Sequence, residues 1–360
     1  MVGGPGHACG HNLLGSGAAL AAVALKEYME RNRVMGTLRY YGTPAEEGGD
    51  GKVYMVRAGL FRDVDVVLHW HPGDTNEVAN GGALAINGAK FLFEGKAAHA
   101  ARAPESGRSA LDAVMLMGNG IEFLREHIPS NSRIHYAITK GGAAPNVVPD
   151  TAELYLYARN PSSAILGGVW DRILKISQGA TLMTETTLEI RELIGDSNVL
   201  PNDSLAGLAQ RNLEEVGGFR YTAEERQFAQ ELQKSAEVTG DLDSTAVIQP
   251  LRRPDPNDPS ASTDVGDVSW NVPTIGFRTA TAVPGVGNHT WAAAASAGMS
   301  IGQKGMIVAA KALAITGADL FSDRQSVLDA KADFQRQLNG STYRSVIPVG
   351  QKPPLNYRNN

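Results

Sequence analysis

"VDVVLHWHPGD" runs from Val64 to Asp74, and its reading decides the fold. The β-branched apolar run Val64 to Trp70 stops at His71-Pro72-Gly73, the pattern of a short buried strand ending in a turn. Working upstream, Lys52 to Ala58 reads as a helix, "TLRYYGT" (Thr37 to Thr43) as a second strand ending at "PAEEGGDGK", and Leu14 to Arg31 as a small-residue helix. Strands that alternate with helices argue for βαβ units and a parallel-type sheet.

Downstream of about Gly82 the pattern changes. Strand Ala83 to Phe93, helix Gly107 to Arg125, strands Arg133 to Thr139 and Ala152 to Arg159, helix Ala164 to Met183 and strand Thr187 to Leu193 follow in turn. That order, β-α-β-β-α-β, is the order of a ferredoxin-like unit. Helices from Leu200 to Gly217 and over "FAQELQKSAEV" come next, then the Pro-rich surface loop "QPLRRPDPNDPSAS", the strand "VPTIGFRTAT", the Gly-rich "VPGVGNHTW" and a long helix from Met299 to Leu320. The expected fold class is therefore α/β. A mixed, parallel-type catalytic sheet flanked by helices (residues 1–79 and 196–360) carries an inserted ferredoxin-like unit (80–195).

Composition limits the partners. The chain has 360 residues, 42% hydrophobic and 20% charged, with a formal net charge of −5. No basic footprint for nucleic acid or an anionic membrane is present. The apolar run Leu13 to Leu25 is broken by Gly-Ser-Gly and is too short to span a bilayer. Cys9 is the only cysteine, so no internal disulfide forms and a cytoplasmic location is the expectation.

Four loops follow or border apolar segments and carry metal-ligand side chains: Cys9 and His11, Glu46 and Glu47, His69 and His71, and His289. In open α/β sheets such loops gather at the carboxyl ends of the strands. A thiolate and an imidazole two residues apart, adjacent carboxylates and further imidazoles make a donor set for divalent metal. Each element also has an ordinary reading. A lone Cys packs as a small hydrophobe, a Glu pair starts a helix, and His pairs cap strands. Six of the eight histidines, all but His127 and His135, sit in or beside loops rich in Gly, Ala or Pro, which weighs against scattered surface histidines.

In chain order, "GPGHACGHNLLG", "GTPAEEGGDGK", "LHWHPGD", "GKAAHAA", "GGAAPNVVPD", "STDVGDVSW" and "NHTW" resemble the co-catalytic metallo-amidohydrolases related to aminobenzoyl-glutamate hydrolase, N-acyl-amino-acid amidohydrolases and auxin-conjugate hydrolases. The resemblance implies two divalent ions, Mn or Zn, that hydrolyse an amide bond to an amino acid. It implies Cys9, His11, Glu47, His71 and His289 as metal ligands, with Cys9 bridging, and Glu46 as the general base. His69 is then an extra histidine near the site, able to exchange roles with His71, and His7 is read as a loop hydrogen-bonding residue.

On the inserted unit the resemblance points to His99 as oxyanion donor, and to Asn146 and Arg159 as substrate-binding residues, acting in some relatives across a dimer interface. Thr263 and Asp264 would organise the centre from behind. The expected partners are a small N-acyl amino acid or peptide-like substrate and a second copy of the chain, paired through the inserted unit as lid and dimerisation domain. Divalent ions lower the pKa of water toward about 7, and Glu46 would take the proton and return it to the leaving nitrogen.

Two other readings stand beside this one. A metallo-dipeptidase or aminopeptidase of the same superfamily shares most of the ligands, although such relatives carry Asp where this chain has Cys9. Relatives also carry a stretch ahead of the "GHACGHN" loop that supplies the first strands of the sheet. A sheet without them exposes an apolar edge, and a truncated, non-catalytic metal-binding chain is the reading from a different functional class.

Overall fold

The computed structural model describes residues 6–255, 257 and 261–355. Met1 to Pro5 of the opening loop, and Pro256 and Asp258 to Ser260 of the Pro-rich loop, lie outside the described residues. In chain order the helices are α1 (His11–Asn32), α2 (Gly51–Arg57), α3 (Ala110–Arg125), α4 (Ser163–Thr184), α5 (Asp203–Val216), α6 (Ala223–Ser235), α7 (Val265–Ser269), α8 (Trp291–Ala297), α9 (Ser300–Ser322) and α10 (Arg324–Leu338). The strands are β1 (Val67–Gly73), β2 (Glu77–Ala79), β3 (Ala85–Glu94), β4 (Arg133–Lys140), β5 (Thr151–Asn160), β6 (Thr187–Asp196) and β7 (Thr274–Ala280).

These strands form two sheets. One is mixed, in the order β1-β7-β2, with β1 parallel to β7 and β2 antiparallel to it. The other is fully antiparallel, in the order β4-β5-β3-β6, with α3 and α4 packed against it. Alternation along β5 buries Ala152, Leu154, Leu156 and Ala158. These meet Phe91, Phe93, Val114, Met117, Ile121 and Ile173 in one core. A second core joins Trp70, Ile275 and Phe277 of the mixed sheet to α1, α5 and α9.

Two expectations are corrected. Thr37 to Thr43 forms no strand. A strand needs a ladder partner, and here the segment is tethered by side chains instead: the Tyr40 hydroxyl donates to Gly15 O at 3.1 Å and that of Tyr41 to Leu60 O at 2.8 Å. The segment and β1, whose ladder among the described residues runs to β7 alone, both line a cleft of about 1540 Å³. Second, β1 starts at Val67, not Val64, and continues through His71 and Pro72, pairing Val67 with Thr274 and Gly73 with Ala280. Pro72 is tolerated because β1 is an edge strand, where a missing N–H breaks no ladder bond.

Helix α9, not Leu13 to Leu25, is long and apolar enough to cross a membrane by composition. In the fold it packs on α1, α5 and β7, as a core helix does.

Candidate metal centre

Gly10 caps α1 in the left-handed conformation (φ 69°), so the chain turns sharply between Cys9 and His11. A Cβ there would lie 2.7 Å from that of Pro72, so only glycine lets the loop settle onto the end of β1. His71 Nδ1 lies 2.7 Å from the Pro72 carbonyl. A carbonyl can only accept, so Nδ1 carries the proton and Nε2 presents a bare lone pair. That lone pair faces the Cys9 sulfur at 3.5 Å.

The Glu46–Glu47 loop approaches from the other side. Its backbone is held by positive φ at Ala45, Gly48 and Asp50. His11 Nε2 is 3.9 Å from Glu46 Oε2 and 3.8 Å from Glu47 Oε1, and His289 Nε2 is 3.8 Å from Glu47 Oε2. The two Glu47 oxygens thus face two different imidazoles. His289 itself sits at φ 62° and is fastened by its N–H to Ala8 O at 2.9 Å.

Cys9, His11 and His71 gather their ligand atoms within 4.8 Å of one another, as do Cys9, Glu47 and His289, and His11, Glu46 and Glu47. The three sets overlap, and all five expected ligands and the expected base belong to them. His11 Nε2 is buried with no hydrogen-bond partner. An orphaned imidazole nitrogen among two carboxylates and a thiol, all beyond hydrogen-bond reach, fits a divalent cation.

The electrostatics agree with a centre that needs positive charge. Burial, then Glu47 and Glu46, push the Cys9 thiol up to about 12. Burial also lowers His11 and brings His71 down to about 4, which keeps these rings neutral. Glu46 is raised, chiefly by burial and then by Asp264, while Thr263 donates a hydrogen bond to it. Asp264 is fully buried and takes both the backbone N–H (2.9 Å) and the ammonium (2.7 Å) of Lys52.

The remaining residues fall in three places. The His69 ring lies against Gly276, where a Cβ would come within 2.3 Å of it, and burial holds it at about 3. Arg159, on β5, lines the same cleft as the centre; its Nη1 donates to Ser262 Oγ at 3.3 Å while its buried Nε has no partner. His99 and Asn146 are exposed and lie together elsewhere, at the end of the antiparallel unit. There Ala100 N donates to Asn146 O at 3.0 Å, and His99 Nδ1 accepts from Ala101 N and Arg102 N.

Sequence reading missed Lys52, Asp50, Asp196 and Asp267 behind the loop. The first two stand in "EEGGDGK", close enough to the Glu pair to have been noticed. Asp267 stands three residues after Asp264 in "STDVGDVSW", so it too could have been noticed, whereas nothing in sequence links Asp196 to the loop.

Fold and centre together define a class: mixed α/β proteins with a cleft whose gathered thiol, imidazole and carboxylate donors suit divalent metal. The chain belongs to peptidase family M20/M25/M40, whose pattern matches residues 3–289. It is 40% identical over 373 residues to one of the subunits of p-aminobenzoyl-glutamate hydrolase from Escherichia coli (strain K12), covering 97% of this chain and 77% of that one. It is 31% identical to Xaa-Arg dipeptidase of Mus musculus, covering 92% and 71%. Among solved structures, a dinuclear metal-binding peptidase of the M20 family from Bacillus subtilis superposes with a TM-score of 0.55 at 15% identity, covering 88% of this chain and 73% of that one.

Proposed function

We propose that the chain is a binuclear amidohydrolase cleaving N-acyl or N-aroyl amino acids, with aminobenzoyl-glutamate-like compounds as the substrate class. The observation that carries this reading is the overlap of three donor sets on Cys9, His11 and Glu47. Overlap of this kind suits two ions that share donors, held by Cys9, His11, Glu47, His71 and His289. When bound, divalent ions polarise the amide carbonyl and acidify water. Manganese and zinc both accept this donor mixture.

In this reading Glu46 takes a proton from water and returns it to the leaving nitrogen. Its neighbour Glu47 has both oxygens turned to imidazoles and serves the metal instead. Arg159 presents its unpartnered Nε to a substrate carboxylate. The antiparallel unit has the element order of a ferredoxin-like fold and acts as lid, with the chain dividing at residues 79/80 and 195/196. His99 and Asn146 belong to a shared site in a homodimer, each reaching the centre of the other copy. Their exposure, and their place outside the residues that line the cleft, support this.

The test is metal content with hydrolysis of an N-aroyl-glutamate and an N-acyl-leucine by the native chain and Glu46→Gln. Two metals in both proteins, with turnover in the native one alone and a loss of about 10²–10⁴-fold in the variant, is the expected result. Metal bound without turnover of either substrate favours the non-catalytic reading. Absence of metal sinks the ligand assignment. Mixing inactive His99→Ala with inactive Glu46→Gln should restore part of the activity if His99 acts across the dimer.

A further inference from the structure

Behind the Glu46–Glu47 loop lie carboxyls that the proposed chemistry does not use. Asp50 ends the loop, and Asp196 ends β6, where the chain leaves the antiparallel unit. Their exposures are 1% and 4%. Asp50 Oδ2 accepts the Gly195 N–H at 2.9 Å, which fastens the loop to that strand end. Asp50 Oδ1 and Asp196 Oδ1 are buried and have no hydrogen-bond partner.

The groups around them are already committed. On α2, Lys52 pairs with Asp264; on α7, Asp267 accepts from Ser197 N, Ser197 Oγ and the Tyr343 hydroxyl; Glu46 takes Thr263; and Tyr54 and Arg57 flank the region from α2. Glu46, Asp50, Asp196, Asp264 and Asp267 thus bring five carboxyls to one ammonium, Lys52, and five cannot all be ionised at low dielectric.

We propose that Asp50 and Asp196 share one proton, forming a carboxyl–carboxylate pair that positions the Glu46–Glu47 loop against the end of β6. The Gly195 bond brings Asp50 beside Asp196, each with one buried, unpartnered oxygen, and one proton held by the pair removes the cost of two adjacent buried charges. A bound cation is the poorer occupant, because every set of three ligand atoms found among the described residues lies in the centre already described. Burial and then the neighbouring carboxylates push Asp50 up to about 7, and Asp196 rises well above its usual range, with Asp50 the foremost charge acting on it. The native state therefore holds a proton that the unfolded chain has lost. Its stabilising effect is complete below the ordinary carboxylate range near 4 and is lost as pH rises through about 7.

The experiment uses the full, metal-loaded chain with Asp50→Asn and Asp196→Asn, whose amides can donate the same bond without titrating. Difference infrared spectra of the native chain above pH 6 should show a protonated-carboxyl band, shifted in D₂O and missing from both variants. The melting temperature of a variant relative to the native chain should climb between pH 5 and pH 8. The alkaline limb of kcat should move upward while KM holds. A merely structural role would instead lower kcat equally at every pH. The proposal is overturned if the native chain lacks the band, if the band survives in either variant, or if the stability difference is independent of pH. Loss of the band on adding calcium also overturns it, since the oxygens then hold a cation. Should one variant fail to fold, the native spectrum and the other variant decide.

Discussion

Glu46 and Glu47 are adjacent in sequence and differ in surroundings. Glu47 divides its oxygens between His11 and His289, whereas Glu46 has one oxygen toward His11 and a hydrogen bond from Thr263. The sequence shows that both acids sit in a loop with metal donors, but the division of labour there rests on resemblance, because backbone torsions at Ala45 and Asp50 aim the two side chains. His69 and His71 pose the same problem: two residues apart, they share a strand face, and only the Gly276 contact and the Cys9 contact separate them. Arg159 is the clearest test at this scale. Losing a charged hydrogen bond to a substrate carboxylate costs roughly 1.5–3 kcal/mol. Arg159→Ala should therefore raise KM about ten- to hundredfold with kcat largely kept, and Lys should rescue it poorly for want of a fork. An unchanged KM in steady-state kinetics would remove Arg159 from the substrate site.

Elements that announce themselves by periodicity were legible: β5 alternates as written, and α3 and α4 lie within two or three residues of their expected ends. Some short elements were not, although the seven-residue α2 was. β2, α7 and α8 have three, five and seven residues, too few for a period to show, and tertiary packing defines them. The strand expected at Thr37 to Thr43 has the right composition but lacks a neighbour, which no local pattern records. How α9 meets the sheet is equally hidden. A Cβ on Gly305 would stand 2.1 Å from the Ala280 carbonyl oxygen, a backbone atom at the end of β7 that cannot swing aside. Gly305→Ala should therefore destabilise by about 2 kcal/mol or more, read as a lower urea midpoint with an unchanged slope. An unaffected midpoint would mean that α9 slides on the sheet freely.

At the scale of the whole molecule, the centre is assembled from loops that start α1, precede α2, end β1 and precede α8, so anything that binds it ties distant segments together. Metal at a hundredfold excess over its Kd should add about 2.7 kcal/mol per site. Chelation should accordingly lower the melting temperature, and added manganese or zinc should restore it; a melting curve indifferent to both would show that the gathered donors hold nothing. The mixed α/β class was readable because strands alternate with helices along the chain. The buried carboxyls joining the units were not, since Asp50, Asp196 and Asp267 meet only after folding. The backbone at the centre has one more effect. Ala45, Asp50 and His289 all hold positive φ, at 62°, 48° and 62°, a conformation that costs a residue with a side chain about 1 kcal/mol. Laboratory evolution for heat resistance alone would thus be rewarded for placing glycine at 289 and deleting an imidazole from the cleft, so any such campaign on this chain must score turnover in every round.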